Sequence, residues 1–321
     1  MLEFYHWGPM TPLLTLGIVG VLAALLWWRW PTPLALLFRA LDRRHGRLRS
    51  GRVHCGPVDW HVLEGGRGET LVLLHGFNAD GDHFNRVARH LSRHFRILAP
   101  DLPGFGETRV DGPIDYRISA QADRVLEWMD TAGIQRCFLG GSSMGGYIAT
   151  ELARKAPDRV RALWLLAPGG VLEAPHSPLF QEIAEERHNP LVIRNFDDFR
   201  RLIDYCFVHP PWIPGPLMRY LAQRATERTV DHQRAFDAIR YDSEPLETIA
   251  AGLATPALIV WGRSDQVLNA AGAGILEQAM ADAEVLMLPD TGHLPMLENP
   301  CTVAEAWISY TEARARDQRE A

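Results

Sequence analysis

The residues in this 321-residue chain best suited to chemistry lie in Leu139-Gly-Gly-Ser-Ser-Met-Gly-Gly146, which contains the pattern G-x-S-x-G as Gly141-Ser142-Ser143-Met144-Gly145. An apolar run, Cys137–Leu139, precedes it and a helical pattern follows, so the serine sits at a strand–turn–helix corner. Such a corner forces strained dihedrals on the serine and leaves no room for bulky neighbours. Ser143 is therefore the candidate nucleophile, and Ser142 reads as its support. A serine hydroxyl is a weak nucleophile; it needs a base, and the base needs an acid to orient it. Of the 13 histidines, most fall on polar helical stretches, but His293 lies in the loop Asp290-Thr-Gly-His-Leu-Pro after the last apolar run. Asp265, in Trp261-Gly-Arg-Ser-Asp-Gln, follows another apolar run and stands between serine and base in the chain. Asp290, three residues before His293, reads as a turn former.

Acyl transfer also needs two N–H donors aimed at the developing oxyanion. Met144, directly after the serine, supplies one, and Phe77 of His75-Gly-Phe77, after the run Leu71–Leu74, supplies the other. His75 reads as a structural ring holding that loop, and Asp101 of Asp101-Leu-Pro-Gly-Phe-Gly106 as a turn former. Phe77, Phe207 and Trp212 are candidate linings of a substrate groove. This chemistry calls for no metal and no cofactor.

These residues must be positioned by strands and helices. Leu71–Leu74, Phe95–Ala99, Cys137–Leu139, Ala162–Leu166, Ala257–Trp261 and Val285–Leu288 are short apolar runs, while Ile118–Ala132 and Tyr147–Lys155 have helical spacing. Continuously apolar strands alternating with helices predict an α/β fold with a mainly parallel sheet covered on both faces. From about 171 to 254 the pattern breaks into a segment rich in helix formers, aromatics and proline, which predicts a helical cap inserted between two strands. The tail after Thr311 reads as a helix end fraying into solvent.

Composition sets the wider limits. At 47% hydrophobic and 22% charged the chain is globular, and a net charge of −6 argues against a nucleic-acid partner. Cys55, Cys137, Cys206 and Cys301 are far apart, form no metal-binding pair and read as buried reduced thiols. From Met10 to Trp30 runs an apolar segment whose only charge is Arg29, long enough at roughly 31 Å to cross one hydrocarbon core. Trp27, Trp28 and Trp30 cluster at one end of it, as interfacial aromatics do. Between Arg29 and Arg52 stand seven arginines against Asp42, a basic collar suited to an anionic membrane surface. The positive-inside rule then predicts a single-pass anchor with the bulk of the chain in the cytoplasm. Leu34, Leu37, Phe38 and Leu41 would share one face of an amphipathic helix lying on that surface. The organisation expected is an anchor and basic segment over 1–52, with the catalytic domain over 53–321.

The motifs HGF, DLPGFG, GSSMGG, WGRSDQV and the GH of DTGH, in this order over residues 53–312, resemble the α/β-hydrolase superfamily. More narrowly, Pro256–Leu268, the GSSMGG corner and an uncleaved N-terminal span resemble its membrane-anchored monoacylglycerol lipases and related bacterial lipases. The resemblance implies an α/β-hydrolase fold with a helical cap, and a serine hydrolase cleaving lipid esters, monoacylglycerols foremost, through an acyl-enzyme on Ser143. A serine at the nucleophile excludes the dehalogenase and epoxide-hydrolase branches. A carbon–carbon bond hydrolase of the meta-cleavage type and a broad short-chain carboxylesterase stay open as alternatives.

Overall fold

Nine strands pair in the computed structural model, which describes residues 14–21, 31–186 and 188–320. They are β1 (Leu48–Cys55), β2 (Val58–Gly66), β3 (Glu69–Leu74), β4 (Phe95–Pro100), β5 (Arg109–Val110), β6 (Cys137–Ser142), β7 (Val160–Leu166), β8 (Ala257–Gly262) and β9 (Ala283–Leu288). The order across the sheet is β1-β2-β4-β3-β6-β7-β8-β9, with β5 on β2. Every pair from β4 through β3 to β9 is parallel, and β1, β2 and β5 attach antiparallel. Each predicted apolar run is a strand of the parallel part. The hairpin β1–β2 was not expected, and β1 crosses the boundary drawn at 52/53, so the end of the basic segment belongs to the sheet.

Helices cover both faces. They are α1 (Pro31–His45), α2 (Asn85–Leu91), α3 (Ile118–Thr131), α4 (Met144–Lys155), the cap helices α5 (Pro178–Glu186), α6 (Phe196–Cys206), α7 (Gly215–Glu227), α8 (Thr229–Tyr241) and α9 (Leu246–Ala250), then α10 (Gly272–Ala279), α11 (Pro295–Glu298) and α12 (Pro300–Glu320). One face buries Trp60, Trp128 and Tyr147 beneath α3 and α4. The other buries Phe138, Trp164 and Trp307 beneath α2 and α12, with the two indoles stacked 5.3 Å apart. Covered on both sides, β6 has all six residues buried, which is why it reads as an unbroken apolar run. The tail does not fray at Thr311: α12 runs on to Glu320, and Arg314 pairs with Asp282.

Most of the expected span over 10–30 lies outside the described residues. Residues 14–21 are helical with Leu14, Leu16, Ile18, Val19 and Val21 exposed. Among the described residues no helix is long and apolar enough to cross a membrane. The amphipathic helix is present as α1, but it packs on α7 instead of lying free. Ala35 and Arg39 are buried and Phe38 half-buried, while Leu36, Leu37 and Leu41 stay exposed. The collar is also thinner than a charge count suggests. Arg39 and Arg43 pair with Asp80, Asp82 and Glu107, and Arg52 pairs with Asp59; Arg44, Arg47 and Arg49 are the collar arginines that are exposed without an ion pair among the described residues, and Arg29 lies outside them. Of the cysteines, Cys137 and Cys206 are buried thiols as expected, whereas Cys55 is half-buried and Cys301 exposed.

Candidate active site

The corner between β6 and α4 has the predicted strain. Ser143 adopts φ 53° and ψ −119°, a left-handed backbone that an L-residue adopts only under constraint. The constraint is visible in its bonds. The Ser143 N–H donates to the Leu166 carbonyl of β7 at 3.0 Å, and its own carbonyl accepts from Gly169 N–H at 2.9 Å. A Cβ on Gly145 would sit 2.0 Å from the Leu74 carbonyl oxygen, and one on Gly141 would sit 2.2 Å from that of Gly145. Only glycine fits at either place.

Asp265 and His293 approach one another from the loops after β8 and β9. Asp265 has no side-chain exposure and accepts four N–H donors: Trp261 Nε1 at 2.9 Å and His293 Nδ1 at 2.8 Å on Oδ2, and the Val267 and Leu268 amides at 2.8 and 2.9 Å on Oδ1. Four donors thus converge on the two carboxylate oxygens and hold the group in one orientation. It fixes the imidazole tautomer with the proton on Nδ1, leaving Nε2 as the free acceptor. His293 is only 4% exposed but lines the same cavity as Ser143. Asp290 is exposed with φ 45° and shapes the turn.

Two supports of the base were missed from sequence. The His293 amide donates to the Cys206 carbonyl at the end of α6. Glu298 accepts from Gly292 N–H through one oxygen and from the Val208 and His209 amides through the other, tying the histidine loop to the cap. Neither leaves a motif, because a backbone carbonyl has no sequence signature and Glu298 looks like an ordinary residue of a short helix.

Phe77 and Met144 flank the serine. A Cβ on Gly76 would lie 3.2 Å from the Ser143 Cβ, which places the Gly76–Phe77 peptide directly against the nucleophile. Among the described residues neither amide N–H has a protein acceptor. The Met144 amide also carries the positive end of the α4 dipole. His75 is fully buried; its Nδ1 donates to the Gly76 carbonyl and its Nε2 accepts from Leu102 N–H, so burial keeps it neutral and below its ordinary pKa. Asp101 is likewise internal, accepting from Gly81 and Glu107 amides and from His61.

Above these residues lies a cavity of about 740 Å³, walled mainly by apolar cap side chains and by Phe38 and Leu41 of α1. Phe207 lines it and is buried. Trp212 also lines it, 79% exposed at the rim, and Phe77 lines it beside the serine. His232 of α8 also lines the cavity, stacked 5.5 Å over Phe105 and 5.6 Å from Phe77. Burial, with Arg228 nearby, pushes its pKa down to about 4.

The sequence profile described as alpha/beta hydrolase fold matches residues 69–300. Lipase 1 of Psychrobacter immobilis is 34% identical over 233 residues, covering 72% of this chain and 73% of that protein. Monoacylglycerol lipase ABHD6 of Homo sapiens is 24% identical over 312 residues, covering 92% and 91%. Among solved structures, a membrane phospholipase A described as a bacterial virulence factor superposes with a TM-score of 0.85 at 34% identity, covering 94% of this chain and 97% of its own. The likeness spans sheet and cap alike, and the chain belongs to the α/β-hydrolase family, as an enzyme of the lipase and esterase kind.

Proposed function

We propose that this protein is a membrane-anchored serine hydrolase that cleaves carboxylic esters of lipids, monoacylglycerols foremost. The observation that carries the reading is the shared cavity: strained Ser143 and carboxylate-oriented His293 face one apolar space of about 740 Å³, roomy enough for an acyl chain. Ser143 Oγ attacks the acyl carbonyl carbon while His293 Nε2 takes its proton. The Phe77 and Met144 amides hold the oxyanion, each such donor being worth about 10²–10³ in rate. The tetrahedral adduct collapses as His293 protonates the leaving alcohol. Water, deprotonated by His293, then attacks the acyl-serine; the adduct collapses as His293 returns the proton to Ser143 Oγ, and the freed carboxylic acid ionises in solution. Asp265 holds the imidazole in place and stabilises the imidazolium that forms.

The anchor reading rests on the apolar run before Pro31, on the exposed leucine, isoleucine and valine side chains of residues 14–21, and on the exposed Leu36, Leu37 and Leu41 of α1. By the positive-inside rule, the exposed Arg44, Arg47 and Arg49 favour a cytoplasmic side for the catalytic domain. The likeness to a membrane phospholipase A favours a second reading, glycerophospholipid esters, on the same machinery. Purified protein assayed on monoacylglycerols, diacyl phospholipids and short-chain esters separates the two. Turnover of the monoacylglycerol above the others supports the first reading, phospholipid preference the second, and no ester turnover in a folded protein overturns both.

A further inference from the structure

Helix α1 lies outside the profile-matched residues 69–300, yet it is joined by charge to the loop that presents Phe77. Arg39 is the joint. Its guanidinium is 6% exposed and meets three carboxylates: Asp80 Oδ2 at 2.9 Å, Asp82 Oδ2 at 2.7 Å and Glu107 Oε1 at 3.2 Å. Arg43, one helical turn on, adds Asp82 Oδ1 at 2.6 Å and Glu107 Oε1 at 2.9 Å. Asp80 stands three residues after Phe77 and caps the short turn Gly81–Phe84 by accepting the Asp82 amide at 3.1 Å. Between Phe77 and Asp80 the chain is bent sharply: Asn78 has φ 58° and the Ala79 amide closes back on the Gly76 carbonyl at 3.3 Å. Three carboxylates gathered this closely repel one another unless a cation sits among them.

We infer that Arg39 is a positioning residue for the ester chemistry, holding the 77–82 loop so that the Phe77 amide stays aimed at the oxyanion beside Ser143. The inference rests on Phe77 being an oxyanion donor. A helix of the membrane-proximal segment thereby becomes part of the catalytic apparatus without touching substrate. Surface pairs of this kind contribute little, but a guanidinium this buried, with fork geometry on two aspartates, fixes position as well as charge. A donor that drifts by an ångström loses most of its effect on the transition state and little of its effect on ground-state binding.

The test uses the full-length protein in detergent with p-nitrophenyl butyrate, a soluble ester. Ser143→Ala is run first: retained turnover would overturn the Ser143 reading itself, apart from Arg39. With that reading standing, Arg39→Met is expected to lower kcat about 10-fold to 100-fold, leave KM within about twofold, and weaken a trifluoromethyl ketone inhibitor, whose serine adduct carries an oxyanion, by the same factor as kcat/KM. Arg39→Lys, which keeps the charge but not the fork, is expected to recover part of both losses. Asp80→Asn keeps the turn cap and removes one ionic partner; it serves if Arg39→Met does not fold, with an expected loss of at least threefold in kcat. Wild-type kcat and inhibitor affinity in either folded variant overturns the inference. So does a lowered melting temperature with both constants unchanged, because a merely structural tie would produce that.

Discussion

Trp261 and His293 donate to the same oxygen: indole Nε1 and imidazole Nδ1 reach Oδ2 of Asp265 at 2.9 and 2.8 Å. The indole fixes the carboxylate plane, and the plane fixes the imidazole. Trp261→Phe keeps the aromatic volume and deletes that one bond to a charged group, worth about 1.5–3 kcal/mol. Soluble-ester kcat should fall about tenfold with KM nearly unchanged, and steady-state kinetics at saturating substrate measures it.

The choice of acid is testable in parallel. Asp265→Asn replaces an acceptor-only group by one that no longer holds the Nδ1 proton in place, and kcat should fall on the order of 10⁴. Asp290→Asn, on an exposed turn, should leave kcat within about twofold. The reverse pattern would assign the role to Asp290.

His232 makes stability depend on pH in a definite direction. Its pKa, about 4 in the fold, is below the ordinary imidazole value of about 6.5. The unfolded chain therefore binds the proton first. Stability is fully present above pH 6.5 and is lost as the pH falls toward 4, by at most about 3 kcal/mol from this group. His75 and His83, also lowered by burial, act in the same direction. Urea unfolding at pH 7 and pH 4.5 should show a smaller difference for His232→Phe than for wild type.

Two truncations separate anchoring from catalysis. Deleting residues 1–30 should release the protein from liposomes and depress turnover of a long-chain monoacylglycerol at least tenfold more than that of a soluble ester. Each methylene buried in the bilayer holds such a substrate there by about 0.8 kcal/mol. Deleting residues 1–45 also removes Arg39, Phe38 and Ala35, and should lower soluble-ester turnover as well. An unchanged activity ratio in the shorter deletion would remove the support for membrane supply of substrate.

Much of this site was legible because its constraints are local. Ser143 needs glycines at 141 and 145, and Asp265 and His293 each follow an apolar strand, so adjacent residues announce them. The hairpin was not legible: β1 is an edge strand whose exposed Arg49, Ser50 and Gly51 leave no apolar alternation to read. The collar misled for a related reason. Counting charge along the chain cannot show that Asp80, Asp82 and Glu107 fold back onto Arg39 and Arg43. Glu298 was invisible because its three partners are backbone amides brought together only by the cap.

The two reacting side chains have different landlords. Ser143 is bonded to the Leu166 carbonyl and the Gly169 amide, at the root of the cap but not within its helices. His293 takes its backbone anchor from Cys206, and its loop is tied through Glu298 to Val208 and His209. Transplanting a foreign lid ahead of α6 would leave these backbone anchors in place, but it would cut Ser177 and Leu179 from the Val267 and Gln266 carbonyls beside Asp265, and Leu191 from Asn78. A graft that replaces 206–209 would keep the nucleophile in register and set the base adrift. Substrate range in this scaffold is open to redesign through the lid's wall side chains, while its backbone at Ser177, Leu179, Leu191 and Cys206–His209 is part of the engine.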